Sequence, residues 1–253
     1  MSADSTFNKA LFFFTELQAV DSTNNYAMQQ LQNGLAAHGS AWFAHRQTQG
    51  KGQRNKEWIS PPGENIIMSA ALDTGWMRLS QLFEISVAVA LAAHDFFNKY
   101  SCGDAYIKWP NDIYWCDRKA AGILIENIIQ GNNWQFAVAG IGININQTLF
   151  SELLQNPVSL KQITGKNYEP VEMAKELCIH IFKRYEQLKQ NKFEVLLDEY
   201  NSALYKRNEM VRLKKGNRVF ETIIKCVNRY GQLVTEGAFI ENFEFGEVEW
   251  VMT

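Results

Sequence analysis

An apolar run ends in Lys108, and Trp109, Pro110, Asn111 and Asp112 follow without a gap. A proline lacks a backbone donor and pushes the residue before it to an extended conformation. Lys108 is therefore presented from a strand end rather than a mobile loop tip, with an amide and a carboxylate close behind it. A rigid cation beside an acid suits an anionic substrate and a metal-nucleotide. Standing alone, the same run also reads as a surface turn after an edge strand.

The second candidate is the loop from Gln47 to Trp58. Gly50 and Gly52 let backbone approach a ligand closely. Arg46, Lys51, Arg54 and Lys56 stand against a single carboxylate, Glu57. Flexible backbone with concentrated positive charge can wrap a phosphate-bearing intermediate. The GxxxxGK[ST] spacing of a P-loop is absent. A solvated basic loop has the same composition, but long loops in compact domains are usually functional or disordered.

Two further stretches carry weaker signals. Asp21-Ser22-Thr23-Asn24 reads as a helix cap, and its hydroxyls with the helix N-terminus also suit a polar ligand group. Gly140-Ile141-Gly142-Ile143-Asn144 alternates glycine along a strand, which marks close approach by a ligand or another backbone, or a bulge. Ala120-Ala121-Gly122-Ile123-Leu124-Ile125-Glu126 has the same character and is expected to neighbour it. No Ser/His/Asp or Cys/His set shows, and the four histidines lack metal-ligand spacing. His94 reads as a satisfied core residue, whereas His45 borders the basic loop.

The elements that must position these groups follow from periodicity and punctuation. Strands are expected over Ala10–Val20, Ala41–His45, Asn65–Leu72, Ala105–Lys108, Ala121–Ile129 and Trp134–Ile143, with a tight turn at Asn132-Asn133 joining the last two. Helices are expected after the Asp21–Asn24 capping cluster to about Leu31, ended by Asn33-Gly34, and over Leu79–Tyr100, Ser151–Leu154, near Leu160, Val171–Leu188 and Phe193–Leu204. After Lys206 only short strands and glycine turns remain: Val211–Leu213, Val219–Asn228, Leu233–Glu236 and Glu247–Val251. The reading is an α+β domain over 1–206, a mixed sheet flanked by helices, with a small β-barrel over 207–253.

Bulk properties exclude several classes. The chain has 253 residues, 46% of them hydrophobic and 21% charged, ordinary values for a globular enzyme. A net charge of −2 gives no general pull toward nucleic acid or anionic membrane. Cys102, Cys116, Cys178 and Cys226 form no CxxC pair, which points to reduced thiols and a cytoplasmic location. The first residues carry Asp4 and Lys9 without a long apolar core. Ala10–Phe14 is too short to span a bilayer, and the apolar stretch Val87–Ala93 is interrupted by His94 and Asp95.

Taken together, the Asp21 to Asn24 segment, the Gln47 to Trp58 loop, Lys108-Trp109-Pro110-Asn111-Asp112, Lys119 to Glu126 and Gly140 to Asn144 resemble the biotin protein ligases (biotin–[acetyl-CoA-carboxylase] ligases), in family order and spacing. The resemblance covers roughly residues 10 to 250. It implies the class II synthetase-like catalytic fold of biotin–lipoate ligases, with an SH3-like barrel at the C-terminus. It implies a two-step reaction: ATP and biotin give biotinyl-5′-AMP, and a lysine of a biotin carboxyl carrier domain then takes the biotinyl group. Lys108 is the implied catalytic residue. Biotin is assigned to Ser22, Thr23, Asn24, Gln47, Lys51, Gly52, Gln53 and Lys108. The nucleotide is assigned to Gly50, Lys51, Trp58, Asn111, Asp112 and Asn144. Mg²⁺ would bridge the phosphates, and the sequence shows no ligand set for it. Many members have Gly-Arg-Gly-Arg where this chain has Gly50-Lys51-Gly52-Gln53. The Asp-Ser-Thr-Asn segment begins at residue 21, so a monofunctional ligase without a DNA-binding domain is expected, with no DNA partner. Dimers are common in the family, and the exposed edge of the main sheet is the natural interface for a homodimer. The competing readings are a lipoate or octanoate ligase of the sister family and a non-catalytic biotin-sensing protein.

Overall fold

The computed structural model describes residues 12–251, apart from 153, 155 and 238. The expected beginning of the first strand at Ala10 lies outside them. Seven strands form one mixed sheet in the order β1-β2-β3-β7-β6-β5-β4. These are β1 (Phe13–Leu17), β2 (Ser40–Ala44), β3 (Ile66–Asp73), β4 (Ala105–Lys108), β5 (Asp112–Trp115), β6 (Arg118–Gln130) and β7 (Asn133–Ile143). Only β1 and β2 run parallel; the other neighbours are antiparallel.

The two-residue period of a strand sorts the sheet's faces. Ile66, Met68, Ala70 and Leu72 of β3 enter the main core, as do Ala137, Ala139, Ile141 and Ile143 of β7. That face is covered by α2 (Leu82–Tyr100) and α4 (Pro170–Lys189), and α5 (Phe193–Ser202) packs against both helices. α2 is apolar almost all round, which is why it is the central buried helix. The helical stretch Leu79–Tyr100 is the one described segment long and apolar enough to cross a membrane, and half of it is buried in the core. On the other face a smaller cluster joins Ala27 and Leu31 of α1 (Thr23–Gln32) to Trp42, Ala71 and Val138. Being short, α1 covers only part of this face.

Arg184 ties the covering helices together. It donates to Asp95 from Nε at 2.7 Å and Nη2 at 3.0 Å, and to Glu199 from Nη1 at 2.6 Å. Removing a buried guanidinium takes the arginine partner from both carboxylates, but both remain partly hydrated and Asp95 keeps His94 at 3.9 Å. Arg184→Met is therefore expected to cost about 2–3 kcal/mol. A thermal melt should show Tm lowered by about 5–10 °C.

The C-terminal strands β8 (Met210–Lys215), β9 (Arg218–Val227), β10 (Leu233–Glu236), β11 (Ile240–Phe243) and β12 (Glu249–Trp250) form an antiparallel sheet in the order β11-β10-β9-β8-β12. This agrees with the expected SH3-like architecture. Asn201 on α5 fixes it, donating to the Val227 carbonyl at 3.0 Å and accepting from the Val227 amide at 2.6 Å. The Trp109 indole donates to the Gly231 carbonyl at 2.9 Å.

Four expectations need correction. β5 was not foreseen, because Ile113-Tyr114-Trp115 is too short to show a period. β11 was missed because its strand is mostly exposed. The tight turn lies at Gly131-Asn132, with Gln130 paired to Asn133. Gly131 takes the positive φ of +60° that the turn demands. Ser151, Glu152 and Leu154 are not helical; the short helix in this region is α3 (Leu160–Thr164), capped by Ser159 and ended by Gly165.

Candidate active site

The part of the sheet that α1 leaves uncovered is the floor of a cavity of about 840 Å³. On this face β3 contributes Ser69, β7 contributes Gly140 and Gly142, and β6 contributes Gly122. Gly122 and Gly142 are direct cross-strand partners. A Cβ on Gly142 would lie 2.3 Å from the Trp58 indole, and one on Gly122 would lie 3.1 Å from it. A Cβ on Gly140 would lie 2.3 Å from Asn24 Oδ1. The glycine alternation thus seats one ring and one amide against bare backbone.

At one end of the cavity the N-terminus of α1 meets the basic loop. Ser22 is the N-cap in extended conformation, yet its side chain makes no capping hydrogen bond. Gln47 Oε1 accepts from the Thr23 amide at 2.7 Å and lies 3.1 Å from the Thr23 hydroxyl. The Ser69 hydroxyl sits 2.6 Å from Asn24 Oδ1 and 2.8 Å from Thr23 Oγ1. Asn24 Nδ2 donates to Glu126 Oε2 at 2.8 Å, and Lys51 reaches the other oxygen of Glu126 at 3.3 Å. Ser22, Thr23, Asn24 and Ser69 are all buried. Such a connected polar network fixes the orientation of a polar ligand group.

The loop itself is folded. The Gly52 amide donates to the Lys56 carbonyl at 2.7 Å and the Trp58 amide to the Gly50 carbonyl at 2.9 Å. Gln53 Nε2 lies 3.4 Å from the Ile123 carbonyl. Arg54 takes φ +53° and lays its guanidinium 4.9 Å from the Phe245 ring centroid of the C-terminal unit.

At the other end, Lys108 and Asp112 face each other in register across the hairpin closed by Trp109-Pro110-Asn111. The Trp109–Pro110 peptide is cis. Asn111 Nδ2 donates to the Ile123 carbonyl at 2.5 Å, locking the hairpin to β6. Asp112 pairs with Lys119 at 2.7 Å. Asn144 donates to the Val158 carbonyl at 3.1 Å and lies 3.4 Å from the Lys119 carbonyl. Lys108 is 7% exposed and donates to the Tyr114 hydroxyl at 3.0 Å. Burial pulls its ammonium down to about 8, against the opposing field of Asp112.

The cavity wall carries Ser22, Thr23, Asn24, Gln47, Lys51, Gly52, Gln53, Trp58, Lys108, Asn111, Asp112 and Asn144 together. Gly50 is not on that wall. It is buried, and a Cβ there would lie 2.2 Å from the Trp58 carbonyl, so it shapes the loop's own turn. His45 meets Glu16 at 2.6 Å on the sheet's edge, and His94 reaches the Ala105 carbonyl at 3.0 Å as a satisfied core residue. Ser69, Tyr114 and Trp250 were not singled out from sequence, and Lys119 and Glu126 bounded a matching segment without being given a role. Ser69 carried a signal, being the one polar residue in an otherwise apolar strand run. Among the described residues no three His, Cys, Asp or Glu side chains gather as a metal site.

The sequence profile of the Biotin/lipoate A/B protein ligase family matches residues 16–144. The biotin–[acetyl-CoA-carboxylase] ligase of Paracoccus denitrificans is 31% identical over 232 residues, covering 87% of this chain and 93% of that protein. The bifunctional ligase/repressor BirA of Escherichia coli is 27% identical over 226 residues, covering 87% of this chain and 68% of BirA. The biotin protein ligase of Aquifex aeolicus, solved with biotin and ATP, superposes with a TM-score of 0.79 at 24% identity, over 95% of this chain and 99% of that one. The chain belongs to the biotin/lipoate A/B protein ligase family.

Proposed function

We propose that this protein is an ATP-dependent ligase that converts biotin to biotinyl-5′-AMP and passes the biotinyl group to a lysine of a biotin carboxyl carrier domain. The observation that carries this reading is the two-ended cavity. A buried polar network lies at the α1 end, and a buried cation lies at the Lys108 hairpin. The relatives above are biotin ligases, which supports biotin over lipoate or octanoate as the acid.

In the first step a carboxylate oxygen of biotin attacks the α-phosphorus of ATP and pyrophosphate leaves. Two anions must meet, so the cations have to offset their repulsion and the charge growing at phosphorus. We assign that task to Lys108, assisted by Lys51 on the loop. Mg²⁺ enters as part of the substrate Mg-ATP, since a magnesium ion commonly keeps its waters and the phosphates rather than an all-protein cage. Ser22, Thr23, Asn24 and Gln47 orient biotin's ring end. Trp58, Asn111 and Asn144 shape the nucleotide side, and Gly52 with Gln53 closes over the adenylate and excludes water. In the second step the carrier's lysine amine attacks the acyl carbon and AMP leaves. Asp112, held by Lys119, is the proton acceptor we assign. The free cysteines support a cytoplasmic setting, and the exposed edge of β1 is the interface we assign to a homodimer.

Two predictions belong to this reading. Lys108 loses its proton near pH 8 in the free protein, so kcat/KM for adenylation should fall about tenfold per pH unit above that value. A pyrophosphate-release profile flat to pH 9.5 would contradict it. Lys51 and Gln53 stand where two arginines are common, and a lysine lacks the planar fork while a glutamine lacks the charge. The adenylate should therefore dissociate several-fold faster than from an Arg-Arg relative, measured side by side by stopped flow; an equal or slower rate would refute it. The whole reaction is tested by incubating the protein with Mg-ATP, biotin and an apo carrier domain. Mass spectrometry should show one added biotinyl group, and an unmodified carrier would overturn the assignment.

A further inference from the structure

We propose that Trp250, on the last strand of the C-terminal sheet, is a positioning residue for Lys108 and closes an aromatic cage that holds its ammonium at the cavity wall. The role in the reaction rests on the ligase reading above; the cage itself rests on geometry. Lys108 Nζ lies 4.4 Å from the ring centroid of Tyr114, 5.2 Å from that of Trp250 and 5.9 Å from that of Tyr205. The rings brace one another, with Tyr205 centred 5.2 Å from Tyr114 and 5.6 Å from Trp250. Each comes from a different place: Tyr114 from β5, Tyr205 from the segment after α5, and Trp250 from β12. Trp250 is held in register opposite Leu213 of β8. Its indole Nε1 is buried without a hydrogen-bond partner among the described residues, so the ring contributes a face rather than a donor.

The physics makes sense of three rings around one cation. A buried ammonium loses its hydration, and something must replace it. An aromatic face attracts the cation through its quadrupole and leaves the net charge intact. Rings on several sides also restrict the rotamers of a long, flexible side chain. The charged groups around Lys108 act together with the cage. Asp112 and Asp117 favour the proton, Lys119 and Lys56 oppose it. Glu249 precedes Trp250 on β12, and Lys206 Nζ lies 5.5 Å from the Tyr205 ring centroid.

The test compares Trp250→Leu with Trp250→Phe. Leucine keeps apolar volume and burial but removes the ring; phenylalanine keeps a ring. Trp250→Leu should lower kcat for pyrophosphate release by about 10–30-fold and move the alkaline limb of kcat/KM down by about one pH unit, while biotin affinity stays within about threefold. Trp250→Phe should stay within about fivefold of wild type with the limb unmoved. A second readout needs no activity: competitive labelling of Lys108 by an amine reagent across pH, resolved by mass spectrometry. The Lys108 titration should fall in Trp250→Leu and hold in Trp250→Phe. A leucine variant with wild-type rate and titration would overturn the cage, as would a phenylalanine variant as impaired as leucine. Should circular dichroism show that Trp250→Leu is unfolded, Tyr205→Leu removes a second ring and is read by the same criteria. A wild-type protein that releases no pyrophosphate would sink the ligase reading alone, and the labelling would still decide the cage.

Discussion

Replacing Lys108 with methionine should lower the adenylation rate by about 10³-fold or more while biotin binding stays measurable by calorimetry. Methionine preserves the length and apolar packing of the lysine stem and removes only the charge. The charge matters most where a carboxylate and a triphosphate are driven together in a water-poor cavity, since each Coulomb interaction there is stronger than in water. The proposed seat of biotin's ring end is elsewhere, at the Thr23, Asn24 and Gln47 network, so its binding should survive. Turnover within tenfold of wild type would remove Lys108 from the chemistry.

The same substitution should stabilise the empty protein. The folded state lowers the Lys108 pKa from 10.5 to about 8. Below pH 8 folded and unfolded chains both carry the proton, and the folded state bears the full cost of the buried charge. Between pH 8 and 10.5 the unfolded chain binds more protons, so wild-type stability rises with pH relative to the variant. Lys108→Met should therefore be more stable at pH 7 by about 2–3 kcal/mol. The advantage should shrink toward zero by pH 10.5. A variant less stable at pH 7 would mean that burying this cation carries no cost.

The second large effect is expected at Gly140. A methyl group there would lie 2.3 Å from Asn24 Oδ1 and 2.9 Å from its Nδ2. Asn24 is 3% exposed and bonded to Ser69 and Glu126, so it has no cheap place to go. Rotating it out leaves Ser69 with Thr23 alone and loosens Glu126, which also holds Lys51. Losing buried hydrogen bonds of this kind costs about 2–3 kcal/mol. Gly140→Ala should thus weaken biotin binding about 30–150-fold, with a cooperative melt retained. Binding within threefold of wild type would show that the Asn24 network does not orient biotin.

What was legible in the sequence is what has a local physical cause. Strong periodicity placed α2, α4 and the long strands. The glycine alternation announced a close approach, although sequence could not say that Trp58 and Asn24 are what approach. The loop's glycines and cations marked it as functional, but not that it is folded by its own Gly52–Lys56 and Gly50–Trp58 hydrogen bonds. Gly50 itself had no way to declare that it turns the loop instead of lining the cavity. The residues whose part in the site went unread are those whose role is tertiary. Lys119 gains meaning from Asp112, Glu126 from Asn24 and Lys51, and Trp250 only because the C-terminal sheet docks against the Lys108 hairpin. β5 escaped because its pairing with β4 and β6, rather than any period of its own, makes it a strand.

The most direct measurement is pyrophosphate release from Mg-ATP by the purified protein, with biotin, lipoate or octanoate supplied in turn and no carrier present. Release with biotin alone is the predicted result and establishes the adenylating half-reaction. Release with lipoate or octanoate instead would move the protein to the other branch of its family, and no release with any of the three from a folded protein would contradict the catalytic role assigned to Lys108.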